Sequence, residues 1–161
     1  MSTSDIEGIL TTLQQRTGKS FTAASFEARL RIQKSVYLLK ALEFAPATQY
    51  SFSDYFHGPY SPDLAKDYYK LLDERMSRNV PHLAGSTHIP EAMILTIRKA
   101  VQKCNDFLEA VATIHSLATR YRNLPAEQIR ALFESIKPRL ADIFEEGWYF
   151  LREEGLVDAH T

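Results

Sequence analysis

Cysteine is nearly missing from this chain. Cys104 stands alone, so an intrachain disulfide framework and a multi-cysteine zinc site are both excluded. Glycine is scarce as well: six glycines in 161 residues, with neither a Walker A loop nor Gly-x-Gly-x-x-Gly among them, leave little backbone for cradling a phosphate. No apolar run approaches the roughly 18 residues that read as a membrane span. The start, Met1-Ser2-Thr3-Ser4-Asp5, lacks the basic and then apolar character of a signal peptide. A cytoplasmic protein without membrane association is therefore expected. Neither sign of charge dominates, and a net charge of −1 argues against heavy nonspecific binding to nucleic acid. His57, His82, His88, His115 and His160 are scattered, with no His-Glu-x-x-His and no paired His/Cys spacing. No metal site and no cofactor are expected. His115 falls on an apolar stripe with Cys104, and both read as core residues.

What is present is the composition of a globular domain, 45% hydrophobic and 24% charged, sufficient for one core. The expected organisation is a single domain over 1–161. It has a helix-strand-helix part over 1–80, a linker or wing-like loop over 81–90 and a C-terminal helical part over 91–161. Ile6, Ile9, Leu10 and Leu13 predict a helix from Asp5 to Arg16, stopped by Gly18. A second helix is expected from Ser25 to Glu43. Its apolar residues wrap most of the circumference, the mark of a buried central helix, and Pro46 ends the pattern. Tyr50, Phe52 and Phe56 alternate with Ser51, Ser53 and Tyr55, which predicts a short strand before a Gly58-Pro59 turn. Ser61-Pro62-Asp63 then reads as N-cap, N1 proline and acidic first turn of a helix to Arg75. Residues 91–122 fit one long helix or two. Two is the preferred reading, with Asp106 as cap and Glu109 as its capping-box partner. Pro125 opens a further helix and Pro138 closes it. The last helix carries Leu140, Phe144, Trp148 and Leu151 inward and ends at a left-handed Gly155. The fold class is mainly α, winged-helix-like, with one or two short strands.

His57, Ser61 and Asp63 or Asp54 suggest a hydrolase triad at first sight. Ser61, however, is explained by its capping role, and no Gly-x-Ser-x-Gly elbow is present. No catalytic residue is assigned. The tyrosines of the same region are harder to explain by folding, because buried phenols need hydroxyl partners. Tyr55, Tyr60 and Tyr69, rimmed by Lys66, are the candidate protein-binding residues. Basic residues concentrate from Arg16 to Lys40. Arg29, Arg31 and Lys34, with Arg120 and Arg122, form the alternative, a nucleic-acid-binding set. At 100° per residue the three on the central helix point to different sides, and basic stems snorkelling from a buried helix account for them as well.

Arg31-Ile32-Gln33-Lys34-Ser35-Val36-Tyr37-Leu38-Leu39 followed by Tyr55-Phe56-His57-Gly58-Pro59-Tyr60-Ser61-Pro62-Asp63-Leu64 resembles the YwgA-like family of small bacterial and archaeal proteins. That family is itself similar to the Panacea (SocA-like) antitoxin domain. The pattern is an Ile/Leu-Gln-Lys helix and then a tyrosine-rich segment ending in Tyr-Gly-Pro-Tyr-Ser. It continues at Phe107 to Ile114, at Lys137-Pro138 and at Glu153-Glu154-Gly155-Leu156-Val157. His57 stands in place of a tyrosine, and Ser35 in place of a leucine. The resemblance covers roughly Phe26 to Val157. It implies a helical, winged-helix-like domain of regulatory or toxin–antitoxin settings, without established catalysis. The expected function is a non-enzymatic interaction module, antitoxin-like or defence-associated, whose partner is a toxin or a regulatory protein. The alternative is a DNA-binding winged-helix transcriptional regulator. A homodimer through the C-terminal helices suits a small regulator.

Overall fold

The computed structural model describes residues 3–55, 58–77 and 85–158, and the statements below concern those residues. The protein is mainly helical, with one two-stranded antiparallel sheet. The elements in chain order are α1 (Thr3–Thr17), α2 (Phe26–Ala41), α3 (Ala45–Thr48), β1 (Ser53–Tyr55), β2 (Gly58–Tyr60) and α4 (Pro62–Ser77). There follow α5 (Glu91–Lys103), α6 (Asn105–Arg120), α7 (Ala126–Ile136), a 3-10 turn (Pro138–Ile143) and α8 (Phe144–Glu153). None of the described helices is long and apolar enough to cross a membrane.

The centre of the molecule is the pair α2 and α6. Ser25 caps α2 by accepting a hydrogen bond from the Ala28 amide at 3.1 Å, as the sequence predicts. Ile32, Val36, Leu38 and Leu39 are all buried, so α2 is central, as its all-round apolarity requires. It packs on α6, α5 and β2, while α6 also holds α5, α7 and α8. Residues from both halves of the chain, from Ile6 to Leu151, join one core cluster. Segment 85–90 is fastened to α1. Thr12 Oγ1 donates to the Thr87 carbonyl at 2.8 Å and accepts from the Thr87 amide at 3.0 Å, and Ile89 is buried. Residues 81–84 of the expected linker lie outside the described residues.

Four local expectations change. Pro46 does not simply end a helix: α2 closes at Leu42 and Glu43, whose φ of 67° takes the left-handed position usual for glycine. Phe44 N then bonds to Leu39 O at 2.9 Å, and Pro46 sits in the first turn of α3. Residues 91–122 form two helices, but the break is at Cys104 and not at Asp106. The Cys104 backbone is extended, and its Sγ accepts from Phe107 N at 3.4 Å. A residue serving as a cap faces the helix end, so Cys104 is exposed and not a core residue. The C-terminal cap follows expectation. Gly155 has φ 73° and Leu156 N reaches back to Leu151 O at 2.8 Å, the double closure of a left-handed cap.

The fourth change concerns Gly58-Pro59, which is strand and not turn. β1 and β2 pair with Ser53 opposite Tyr60, Asp54 opposite Pro59 and Tyr55 opposite Gly58. With only two strands both are edges, so a proline costs no interior ladder bond. Gly58 is required for two reasons. Its φ is 92°, and a Cβ there would lie 2.6 Å from Thr113 Oγ1 on α6. The hairpin can approach α6 only because residue 58 has no side chain.

Substituting Gly58→Ala should lower stability by about 2–4 kcal/mol from the left-handed backbone and the clash together. In a Thr113→Ala background the penalty should fall to the backbone part, about 1–2 kcal/mol. Urea unfolding of the four proteins measures both values, and an unchanged penalty in the Thr113→Ala background would show that contact to be irrelevant.

Candidate functional site

Two consecutive polar residues in the middle of apolar α2 explain the corner from Gly58 to Leu64. Gln33 Nε2 donates to the Ser61 carbonyl at 3.0 Å, and Gln33 Oε1 accepts from the Ser61 amide at 2.8 Å. The side-chain amide thus bonds both backbone groups of one residue, as a neighbouring strand would. The carbonyl also accepts from Ala65 N at 3.1 Å, so it is the amide that depends on Gln33 alone. Ser61 Oγ accepts from Leu64 N at 3.2 Å and caps α4. Ser61 is fully buried, and its hydroxyl faces the helix end. His57, the base of the apparent triad, lies outside the described residues; Asp54 pairs with Arg120 and accepts from Ser116 Oγ at 2.9 Å.

Next to Gln33, Lys34 points at the hairpin. Nζ donates to the Pro59 carbonyl at 2.7 Å, and the residue is only 1% exposed. This corrects the snorkelling reading and removes Lys34 from any exposed basic face. Burial disfavours the ammonium and pushes its pKa down to about 8; the Glu109 carboxylate opposes that shift, Lys137 adds to it and Asp54 opposes it. Glu109, on α6, is itself 2% exposed and lies 3.1 Å from Lys137 Nζ and 3.2 Å from Arg139 Nη2. Arg139 also binds Asp106 at 2.9 Å. Behind the hairpin Tyr37 Oη meets His115 Nδ1 at 2.7 Å. Burial pushes the His115 imidazole down to about 4 and the Tyr37 phenol up.

Two cavities flank this corner. One, of about 260 Å³, lies between α2, β2 and α4, with Phe26, Arg29, Leu30, Tyr60 and Tyr69 on its walls and Gln33 and Lys34 beneath. Phe26 and Tyr69 are 49% and 44% exposed. The Arg29 guanidinium lies 5.9 Å over the Tyr69 ring, and Tyr68 sits 5.1 Å from Tyr69, centroid to centroid. The other, of about 570 Å³, lies between the hairpin, α6 and the α7–Arg139 segment.

The candidate protein-binding residues are only partly gathered. Tyr60 and Tyr69 share the first cavity. Lys66 is exposed but lines a separate cleft with Gln49, Tyr50 and Asp67, where Tyr50 Oη donates to Asp67 at 2.6 Å. The side chain of Tyr55 lies outside the described residues. The alternative basic set is dispersed. Arg29 donates to Ala23 O at 3.0 Å and Arg31 to Ser20 O at 2.6 Å. Arg120 is engaged with Asp54, and Arg122 lines a shallow pocket with Gly155 and Leu156. Sequence reasoning passed over Gln33, Glu109 and Arg139. A Gln-Lys pair inside an apolar helix was the available signal for the first, since buried polar side chains are there to satisfy something. Cys104 caps α6 in place of Asp106, so the capping box expected of Glu109 does not form and its carboxylate is held by Lys137 and Arg139 instead. No protein-family model, curated protein or solved structure matches the chain.

Gln33→Leu should cost about 1–3 kcal/mol, because it strands the buried amide of Ser61, whose carbonyl still accepts from Ala65 N. Gln33→Glu should also destabilise, since a carboxylate cannot donate to that carbonyl; equal stability of wild type and both variants in urea would remove Gln33 from this role. Lys34 yields a pH dependence. Its folded pKa lies below the unfolded value of 10.5, so above pH 8 the unfolded chain binds the proton that the native state has released. Stability should then rise from pH 8 to 10 relative to Lys34→Met. Above that range Tyr37, Tyr50 and Tyr68, whose phenols burial holds protonated, act in the opposite direction. Chemical unfolding at fixed pH steps reads the difference, and parallel profiles for the two proteins would contradict it.

Proposed function

We propose that this protein is a non-enzymatic interaction and regulatory module that captures a protein partner in the aromatic cavity between α2, β2 and α4. The observation that carries the reading is the exposure of Phe26 and Tyr69 around a cavity whose floor is fixed by buried polar bonds. Large aromatic side chains held partly in solvent by a rigid frame, with an arginine stacked beside them, have the composition of a binding hot spot. The resemblance to the YwgA-like family and to the Panacea (SocA-like) antitoxin domain supports a specific version. In that version the partner is a toxin or a defence-associated regulatory protein, neutralised in the cytoplasm by an antitoxin-like, winged-helix-like domain. The alternative, a DNA-binding regulator, has less support, because Lys34 is buried and Arg120 is paired.

Tyr60→Ala and Tyr69→Ala together should weaken capture of the native partner by roughly tenfold or more, with the helical circular dichroism unchanged. Affinity capture from the native cell with quantitative mass spectrometry compares wild type and variant. A partner retained equally by both would refute the placement of the surface, and salt-sensitive gel shifts on duplex DNA would favour the alternative.

A further inference from the structure

The cavity between the hairpin, α6 and the α7–Arg139 segment is separate from the aromatic one and larger, at about 570 Å³. Gly58 of β2, Thr113 and Leu117 of α6, and Ile136 and Pro138 form its walls. Apolar walls with a few polar groups, enclosing this much space, are the usual build of a small-molecule site. Ile136 is 52% exposed, although α7 buries Ile129 and Phe133. An apolar side chain half in water beside the cavity marks its open side.

Among the described residues, the charged members of the lining are two carboxylates and two cations, Asp54 and Glu109 with Lys137 and Arg139. Each meets an opposite charge. Glu109 lies 3.1 Å from Lys137 Nζ and 3.2 Å from Arg139 Nη2. Arg139 also binds Asp106, and Asp54 pairs with Arg120. An ionic ligand would have to compete with one of these pairs and give up its own water, a cost that Coulomb attraction repays poorly. An uncharged ligand meets neither cost. Thr113 supplies a directional group. A hydroxyl has one proton and two lone pairs, and Thr113 Oγ1 gives its proton to the Glu109 carbonyl at 2.8 Å. With that bond in place Oγ1 can only accept, which suits a ligand that donates.

We infer that this cavity binds a small uncharged alcohol, an apolar body carrying one hydroxyl. The body lies along Leu117, Ile136 and Pro138, and the hydroxyl donates to Thr113 Oγ1. Ions of either sign are disfavoured by the paired charges, and a molecule of equal size without an O–H gains only the apolar contacts.

The test is a ¹H–¹⁵N NMR titration of the full chain with five six-carbon probes. They are hexanol, its isomer methyl pentyl ether, hexanoate, hexylammonium and the zwitterion norleucine. Hexanol should give saturable shifts at the amides of Gly58, Thr113 and Arg139. Its affinity should exceed that of the three charged probes by roughly tenfold or more, and that of the ether by about fivefold. Thr113→Val should bring hexanol down to the affinity of the ether and leave the ether unchanged. Ile136→Trp, at the exposed rim, should fold normally and lose the hexanol shifts. A charged probe that binds as tightly as hexanol would overturn the uncharged class. Equal affinity for hexanol and the ether in the wild type would overturn the hydroxyl contact, as would hexanol binding that is unaffected by Thr113→Val. Shifts that persist in Ile136→Trp would overturn the location, and absence of any saturable shift would overturn the site. None of these outcomes depends on Tyr60 or Tyr69, so the proposal stands or falls separately from the partner surface.

Discussion

Everything around the corner depends on one bidentate contact, the Gln33 carboxamide bonded to both backbone groups of Ser61. A buried backbone amide and carbonyl each need a partner, and leaving either unmade costs more than a formed bond contributes. At residue 61 the chain has left β2, and although its carbonyl accepts the first bond of α4 from Ala65 N at 3.1 Å, its amide has no partner in either element. The central helix supplies one, with a side chain shaped like a peptide group. The Ser61 side chain is then left for the first turn of α4. A short strand and a helix N-terminus are in this way tied to α2 at one residue, in a place closed to water.

Lys34 extends the same logic at greater electrostatic expense. An ammonium inside a protein is disfavoured, which its lowered pKa reflects, and burying charge is weak evidence of added stability. What it supplies is position. The Pro59 carbonyl belongs to a hairpin of three residues per strand, too short to hold its own conformation in water. Lys34 fixes that carbonyl from α2, while Thr113 fits against the missing side chain of Gly58. Two helices therefore set the hairpin, and the hairpin does not set itself. This gives a physical reason for a Gln-Lys pair and a Gly-Pro-Tyr-Ser run to occur together in one chain: each segment supplies what the other lacks.

Much of the helical frame was legible in the sequence because it follows from periodicity and end signals, which are local. Ser25, Ser61 and Gly155 do what their residue types indicate, and α2 is central as its all-round apolarity requires. The errors fall where a local rule has a nonlocal competitor. Gly58-Pro59 has the composition of a turn, but pairing with Asp54 and Tyr55 and packing on Thr113 make it strand. Asp106 is the better capping residue by type, yet the cap lies two residues earlier, where Cys104 is extended, and Asp106 is taken by Arg139. The candidate site was half legible. The tyrosines were marked by their number, while Gln33, Glu109 and Arg139 act on segments 28 to 30 residues away, a distance that no spacing rule spans.

The two cavities follow from the same construction. Tyr60 at the end of β2 walls the smaller one, and Gly58 at its start walls the larger. One residue of strand, Pro59, separates them, and Lys34 reaches both Tyr60's cavity and the back of Gly58. A displacement of β2 large enough to open one cavity would have to move Gly58 relative to Thr113, or Pro59 relative to Lys34. Packed interiors resist continuous deformation and prefer discrete arrangements. The polar anchors under the hairpin therefore do more than satisfy backbone groups, because they hold the shape of two surfaces that the strand alone could not maintain.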